Sequence, residues 1–182
     1  MKTARGRGYT LVQLLIAIVL MSMVAALAIP VVSSQNAQKL DLAANEVAAA
    51  LNFARSEAMR TGKHHGVRIG SADSRVRVFR LNTSPLPPTE VYNVVHPVDK
   101  KTYDILLGSA AFSSGASVSQ STFVFTLQPP SEAVTFAPDG RPLLVRSTGQ
   151  PALLVSGSAT VSRNGDTRTI TVEPETGRVS IS

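Results

Sequence analysis

Gly6-Arg-Gly-Tyr-Thr-Leu-Val-Gln-Leu-Leu-Ile-Ala-Ile-Val-Leu-Met-Ser-Met-Val-Ala-Ala-Leu-Ala-Ile-Pro30 is the stretch on which the reading of this chain turns. From Leu11 to Ile29 the run is 19 residues long, and only Gln13 and Ser22 are polar. As a helix it reaches about 28 Å, close to the hydrocarbon thickness of a bilayer. Ahead of it stand Lys2, Arg5 and Arg7 and no acid. Positive charge before a first hydrophobic segment holds that end in the cytoplasm. The pattern therefore predicts a single pass through a bacterial inner membrane, with everything after Ile29 in the periplasm. Three fates fit such an N-terminus. It is a secretory signal cut at the small pair Ala26 and Ala28, a plain uncleaved anchor, or a leader cut on the cytoplasmic side so that the apolar helix stays in the product.

The residues Gly8-Tyr9-Thr10-Leu11-Val12-Gln13-Leu14-Leu15-Ile16-Ala17 resemble the prepilin signature of type IV pilins and type II secretion pseudopilins. The resemblance implies the third fate. A prepilin peptidase would cleave between Gly8 and Tyr9 and methylate the new amine of Tyr9, where the family usually has phenylalanine. Pro30 falls where these proteins commonly carry a helix-perturbing proline, and it joins Gln13 as an expected assembly residue. At Gln13 the sequence departs from the family, which carries a glutamate thought to attract a neighbouring subunit's amine. An amide still hydrogen-bonds between helices in lipid, for about 0.6–2 kcal/mol. It has no charge to offer an ammonium group.

After Pro30 a second helical pattern begins. Leu40, Ala44, Val47, Leu51, Ala54 and Ala58 recur at spacings of three and four and form one apolar stripe, with Gly62 as a stop. The predicted organisation is a leader at 1–8, a helix over 9–61 bent near Pro30 and membrane-spanning at about 11–29, and a β-rich periplasmic domain at 62–182. Ser74–Leu81 alternates apolar residues with arginines. Further strands are expected at His65–Ile69, Tyr103–Leu107, Phe123–Leu127, Ala133–Phe136, Leu143–Arg146, Ala152–Ser156, Arg168–Glu173 and Arg178–Ile181, separated by turns such as Asn164-Gly165-Asp166 and Pro138-Asp139-Gly140. Asn82–Thr89, with Pro85, Pro87 and Pro88, reads as a loop. Ser109–Ser121, rich in Ser, Gly and Ala, reads as a mobile connection.

Two further stretches extend the resemblance. Ala43 to Gly62, with its Ala54-Arg55-Ser56-Glu57-Ala58 run, is similar to the helix end of the GspH/FimT family of minor pseudopilins and minor pilins. Val134–Arg141 and Ile170–Val179 resemble that family's closing hairpins. The implied fold is α+β and pilin-like, a long N-terminal helix packed on a C-terminal antiparallel β-sheet domain.

Composition narrows the chemistry. There is no cysteine, hence no disulfide or thiol chemistry. No Trp is present and aromatics make up 5% of the chain, which disfavours stacking platforms. The formal charge of +6 rests on 18 Lys and Arg against 12 Asp and Glu; losing Lys2, Arg5 and Arg7 with the leader leaves +3. Between Phe53 and Leu81, Arg55, Arg60, Lys63, Arg68, Arg75, Arg77 and Arg80 face only Glu57 and Asp73. Such a cluster is either a binding face or a solvated helix end and strand surface.

His64 and His65 are adjacent on an expected strand start, so they point apart, and no carboxylate spacing completes a metal site. The serines of 109–121 lack a nucleophile-elbow setting, and no glycine-rich phosphate loop precedes a helix. No catalytic residue, cofactor or metal is expected. The expected role is a minor pseudopilin or pilin subunit that assembles through its apolar helix and supports protein secretion or pilus assembly. The partners are other pilins or pseudopilins, the prepilin peptidase and the inner membrane, with secretion cargo and DNA as further candidates. The alternatives are a DNA-binding minor pilin for uptake, with Arg163, Arg168 and Arg178 contacting phosphate, and a secreted β-domain released after Ala28.

Overall fold

The computed structural model describes residues 10–84 and 86–182, with the backbone alone for 24–35. Gly8 and Tyr9, the expected cleavage and methylation site, lie outside the described residues. Contacts gather the chain into two units, Met1–Ala37 and Gln38–Ser182. Helix α1, Leu11–Thr61, belongs to both. Helical backbone runs through Pro30 without interruption, and the expected role of its side chain lies in the stretch whose side chains are not described.

In the second unit, the helix is held by its apolar stripe. Leu40, Ala44, Val47, Leu51, Ala54 and Ala58 are all buried to 1% exposure or less, which is the full stripe that the spacing predicts. Ala43, Ala48 and Ala50 widen it, and the small side chains let the sheet approach the helix backbone closely. Burial of each of Leu40, Val47 and Leu51 contributes about 1.5–3 kcal/mol. Opposite lie Val67, Val76, Val78, Phe123, Phe136, Val161, Ile170 and Val172, all in the same core cluster.

Among the described residues the sheet has ten strands, each paired antiparallel. In chain order they are β1 His65–Ile69, β2 Arg75–Asn82, β3 Thr89–Val91, β4 Asp104–Leu106, β5 Ser117–Phe125, β6 Ala133–Phe136, β7 Pro142–Val145, β8 Pro151–Arg163, β9 Asp166–Val172 and β10 Val179–Ile181. The spatial order is β10-β9-β8-β7-β6-β1-β2-β3, with β4 beside β2 and β5 beside β8. Strand β8 is the longest at 13 residues. It pairs with β7 over Pro151–Leu153 and with β5 from Leu154 onward, while β9 takes its other edge. Asn164 and Gly165 close the β8–β9 hairpin with φ of 51° and 92°, the two left-handed positions of a type I′ turn.

Two expectations are corrected. The segment expected to be a mobile connection, Ser109–Ser121, contains the start of β5 and carries buried Ser113, Ala116 and Val118. Ser113 Oγ donates to the Leu107 carbonyl at 2.5 Å, and Lys39 Nζ donates to Ser114 Oγ at 3.0 Å. Small polar residues have weak strand propensity, and here pairing to β8 overrides it. Strand β8 likewise runs seven residues past its expected end at Ser156, through Gly157-Ser-Ala-Thr-Val-Ser-Arg163. Gly157 is there because a Cβ would lie 2.7 Å from the Phe123 ring.

His65 starts β1 and is 3% exposed, with Nδ1 3.1 Å from the Lys63 carbonyl. Burial is the main reason its pKa lies below the ordinary 6.5, opposed in part by that hydrogen bond. The unfolded chain takes up the proton first as pH falls through 6.5. Stability is therefore full above that value and declines as pH drops from it toward the folded-state pKa. We expect the urea unfolding midpoint to fall between pH 7.5 and 5.5, and His65→Gln to flatten that slope. An unchanged slope in the variant would assign the pH dependence to other groups.

Candidate functional site

The start of α1 is closed by two reciprocal hydrogen bonds. Thr10 N–H donates to Gln13 Oε1 at 3.0 Å, and Gln13 N–H donates to Thr10 Oγ1 at 3.3 Å. This is a capping box, and Thr10-x-x-Gln13 carries its sequence signature, which sequence reasoning centred on the missing glutamate overlooked. Gln13 thus satisfies its own helix end. We expect Gln13→Glu, which keeps the acceptor and suits the helix dipole, to leave fibre incorporation unchanged or improved. Gln13→Ala should fray the first turn, at a cost of about 1 kcal/mol. Loss of incorporation in Gln13→Glu, read by immunoblot of sheared fibres, would refute this.

Beyond the cap the helix is apolar on every side. Leu11, Val12, Leu14, Leu15, Ile16, Ile18, Val19, Leu20, Met21 and Met23 are each between 52% and 79% exposed. A helix apolar all round requires lipid or other helices around it. Among the described residues no helix is long and apolar enough to cross a membrane. The described part, Leu11–Met23, is about 20 Å of helix, and the expected span continues into residues whose side chains are not described.

At the far end of α1 the Ala54-Arg55-Ser56-Glu57-Ala58 run is turned onto its own domain. Ala54 and Ala58 are fully buried. Arg55 Nε donates to the Gly140 carbonyl at 3.3 Å, and its Cδ packs at Gly177, where an added Cβ would lie 3.3 Å away. One side chain therefore clasps the turns of both closing hairpins. Glu57 forms an ion pair with Arg60, which lowers the Glu57 pKa.

The remaining basic residues mostly have partners. Arg68 pairs with Glu90 and also donates to Tyr92 Oη at 3.1 Å, Arg75 pairs with Asp104 at 3.2 Å, and Arg77 lies 4.9 Å from the Tyr92 ring centroid. Arg163 donates to the Ser114 carbonyl, and Arg168 pairs with Asp41 of α1 at 2.8 Å. Both sit near the β8–β9 turn, whereas Arg178, which is exposed, lies opposite Glu173 beyond the other end of β9. Five residues of strand, about 17 Å, separate Arg178 from Arg168. The three expected phosphate contacts do not form one patch. Among the described residues no group of three metal-ligating side chains comes together.

The family model of the type II transport protein GspH matches residues 43–177 of this chain. The chain belongs to the GspH family. The matched stretch runs from Ala43 in the buried helix stripe through the Arg55 clasp to the Gly177 turn, so the family pattern covers most of the core of the domain. Among solved structures, the minor pseudopilin EpsH from the type 2 secretion system of Vibrio cholerae is similar at 17% identity and a TM-score of 0.50. The match covers 79% of this chain and 96% of that one. The type IV minor pilin FimU of Pseudomonas aeruginosa is similar at 15% identity and a TM-score of 0.42, over 79% of this chain and 87% of that one. Among curated protein sequences none matches. This GspH-family chain has the α+β, pilin-like fold, a long helix on an antiparallel sheet. The family is that of the type II transport protein GspH.

Proposed function

We propose that the chain is a minor pseudopilin or pilin subunit, held in the inner membrane by a single pass and drawn from it into a fibre. The observation that carries this reading is the start of α1, capped by its own side chains and apolar on every face, in a chain whose domain is of the GspH family. In the membrane pool the apolar residues face lipid. In the fibre they face the corresponding helices of other subunits, so the segment never has to enter water. The prepilin peptidase cleaves after Gly8, Tyr9 becomes the methylated N-terminus, and Gln13 keeps the helix start closed in either setting. The periplasmic domain is structural, and no chemistry is asked of it. The DNA-binding alternative is weakened by Arg163 and Arg168, which are already engaged with Ser114 and Asp41.

N-terminal sequencing of the protein recovered from sheared fibres tests this reading. A methylated Tyr9 is the expected first residue. A soluble product beginning at Ile29 would overturn it.

A further inference from the structure

A cleft of about 520 Å³ opens between the last turn of α1, strand β2 and the 93–100 loop. The apolar part of its lining is Phe53, Val94, Val95 and Pro97. Its walls carry Arg60, Lys63, Arg80 and Lys100 against the one carboxylate of Glu57, which Arg60 already holds. Among the described residues, Lys63, Arg80 and Lys100 make no salt bridge and no side-chain hydrogen bond. They stand apart from Arg68 and Arg75, which are paired, and Arg77, which lies over Tyr92. Lys63 and Arg80 also line a second cleft of about 330 Å³ with Gly62, His64, Leu81 and Asn82, so the two hollows meet across this pair of cations.

The end of a helix carries a partial negative charge, which works against an anion here. Its carbonyls are in part already engaged: Ala58 accepts from Gly62 N–H at 3.0 Å and Glu57 from Thr61 Oγ1 at 2.7 Å. Three unmatched full charges outweigh what remains. The concavity also decides between anions. A duplex is too broad to enter, and its phosphates would reach only the rim, leaving Phe53 and Val94 uncovered. An extended peptide can lay carboxylates on Lys63 and Arg80 and an apolar side chain on Phe53 and Val94 at once.

We propose that this pair of clefts receives an extended acidic segment of a neighbouring fibre subunit, with its carboxylates on Lys63, Arg80 and Lys100. The inference rests on the subunit role and supplies one of its lateral contacts. Its occupant is a neighbouring subunit because a fibre member needs protein contacts beyond the apolar helix, and this is a concave, charged and unpaired place to make one.

The test uses the full chain in detergent and a short fluorescent peptide of alternating Glu and Leu, followed by anisotropy. The peptide should bind, and binding should weaken as salt rises through the range where the Debye length shortens to about 8 Å. The double variant Lys63→Glu/Arg80→Glu should lose at least about tenfold in affinity. Lys63→Gln/Arg80→Gln should lose less, and Arg141→Glu, an exposed cation elsewhere, should bind as the parent does. Retained far-ultraviolet dichroism and an unchanged melting point confirm that the variants fold. Peptide binding that ignores the double reversal would overturn the proposal, as would duplex DNA binding more tightly than the peptide through the same two residues.

In cells, the reversed variant should accumulate as processed, membrane-held protein absent from fibres. If it enters fibres at the parental level, the cleft is not the docking site while the subunit role stands. If the parent itself never enters fibres, the subunit role fails first.

Discussion

Gly177→Ala should destabilise the domain by about 3 kcal/mol and lower its melting temperature by about 10 °C. Two costs add. At φ +67° a side chain is forced into the left-handed region, for about 1 kcal/mol. The larger cost is steric, because the new Cβ would lie 2.6 Å from the Gly140 carbonyl oxygen, 3.2 Å from the Phe136 ring and 3.3 Å from Arg55 Cδ. Backbone, core and clasp would all have to move. Gly165→Ala is the matched control: its φ is +92° and nothing lies within 4 Å of the added carbon, so it should show the backbone cost alone. Equal losses in the two variants, measured by urea unfolding, would mean that the packing of the two closing turns on Arg55 contributes nothing.

The second large effect is on assembly rather than on folding. Ile16→Arg places a charge in the apolar part of α1, where every large side chain around it is exposed. Arg at the centre of a membrane-spanning helix raises the apparent insertion free energy by about 2.5–3.5 kcal/mol. Ile16, about 6 Å from the centre of Leu11–Ile29, carries a large part of that, a factor of up to roughly 100 in insertion. A helical bundle is no kinder to an unpaired charge. We expect the variant to disappear from sheared fibres and to be depleted from the membrane fraction, with Ile16→Leu behaving as the parent. The melting temperature of the domain should not change, which separates this loss from misfolding. Parental incorporation of Ile16→Arg would remove the assembly role assigned to this segment.

The elements that were legible in the sequence are those whose burial is periodic. The stripe from Leu40 to Ala58 is legible because one helix face meets one sheet face, and the apolar spacing records that contact directly. The strand core of Arg75–Leu81 is legible for the same reason. The second half of β8 is not, because Gly157, Ser158 and Ala159 have no strand preference of their own and are extended by pairing with β5 and β9. Strand β3, only three residues long and directly after a proline-rich loop, is too short to show an alternating pattern.

The site divides in the same way. Thr10 and Gln13 are three residues apart, and their capping signature is written locally. The role of Arg55 is written nowhere near it, since Gly140 lies 85 residues further on and Gly177 beyond that. Equally, a run of seven basic residues does not reveal which of them find partners. That depends on Glu90 and Asp104 arriving on β3 and β4, with Tyr92 just past the end of β3, and leaving Lys63 and Arg80 over.

Strand β8 has a mechanical consequence. Its first three residues are stitched to β7 and the rest to β5 and β9, so neither half of the sheet can be peeled away without tearing a ladder that belongs to the other. Amide exchange from β1 and from β9 should therefore share one opening energy. A subunit hauled by its helix would resist tension as a whole, yielding all at once or not at all.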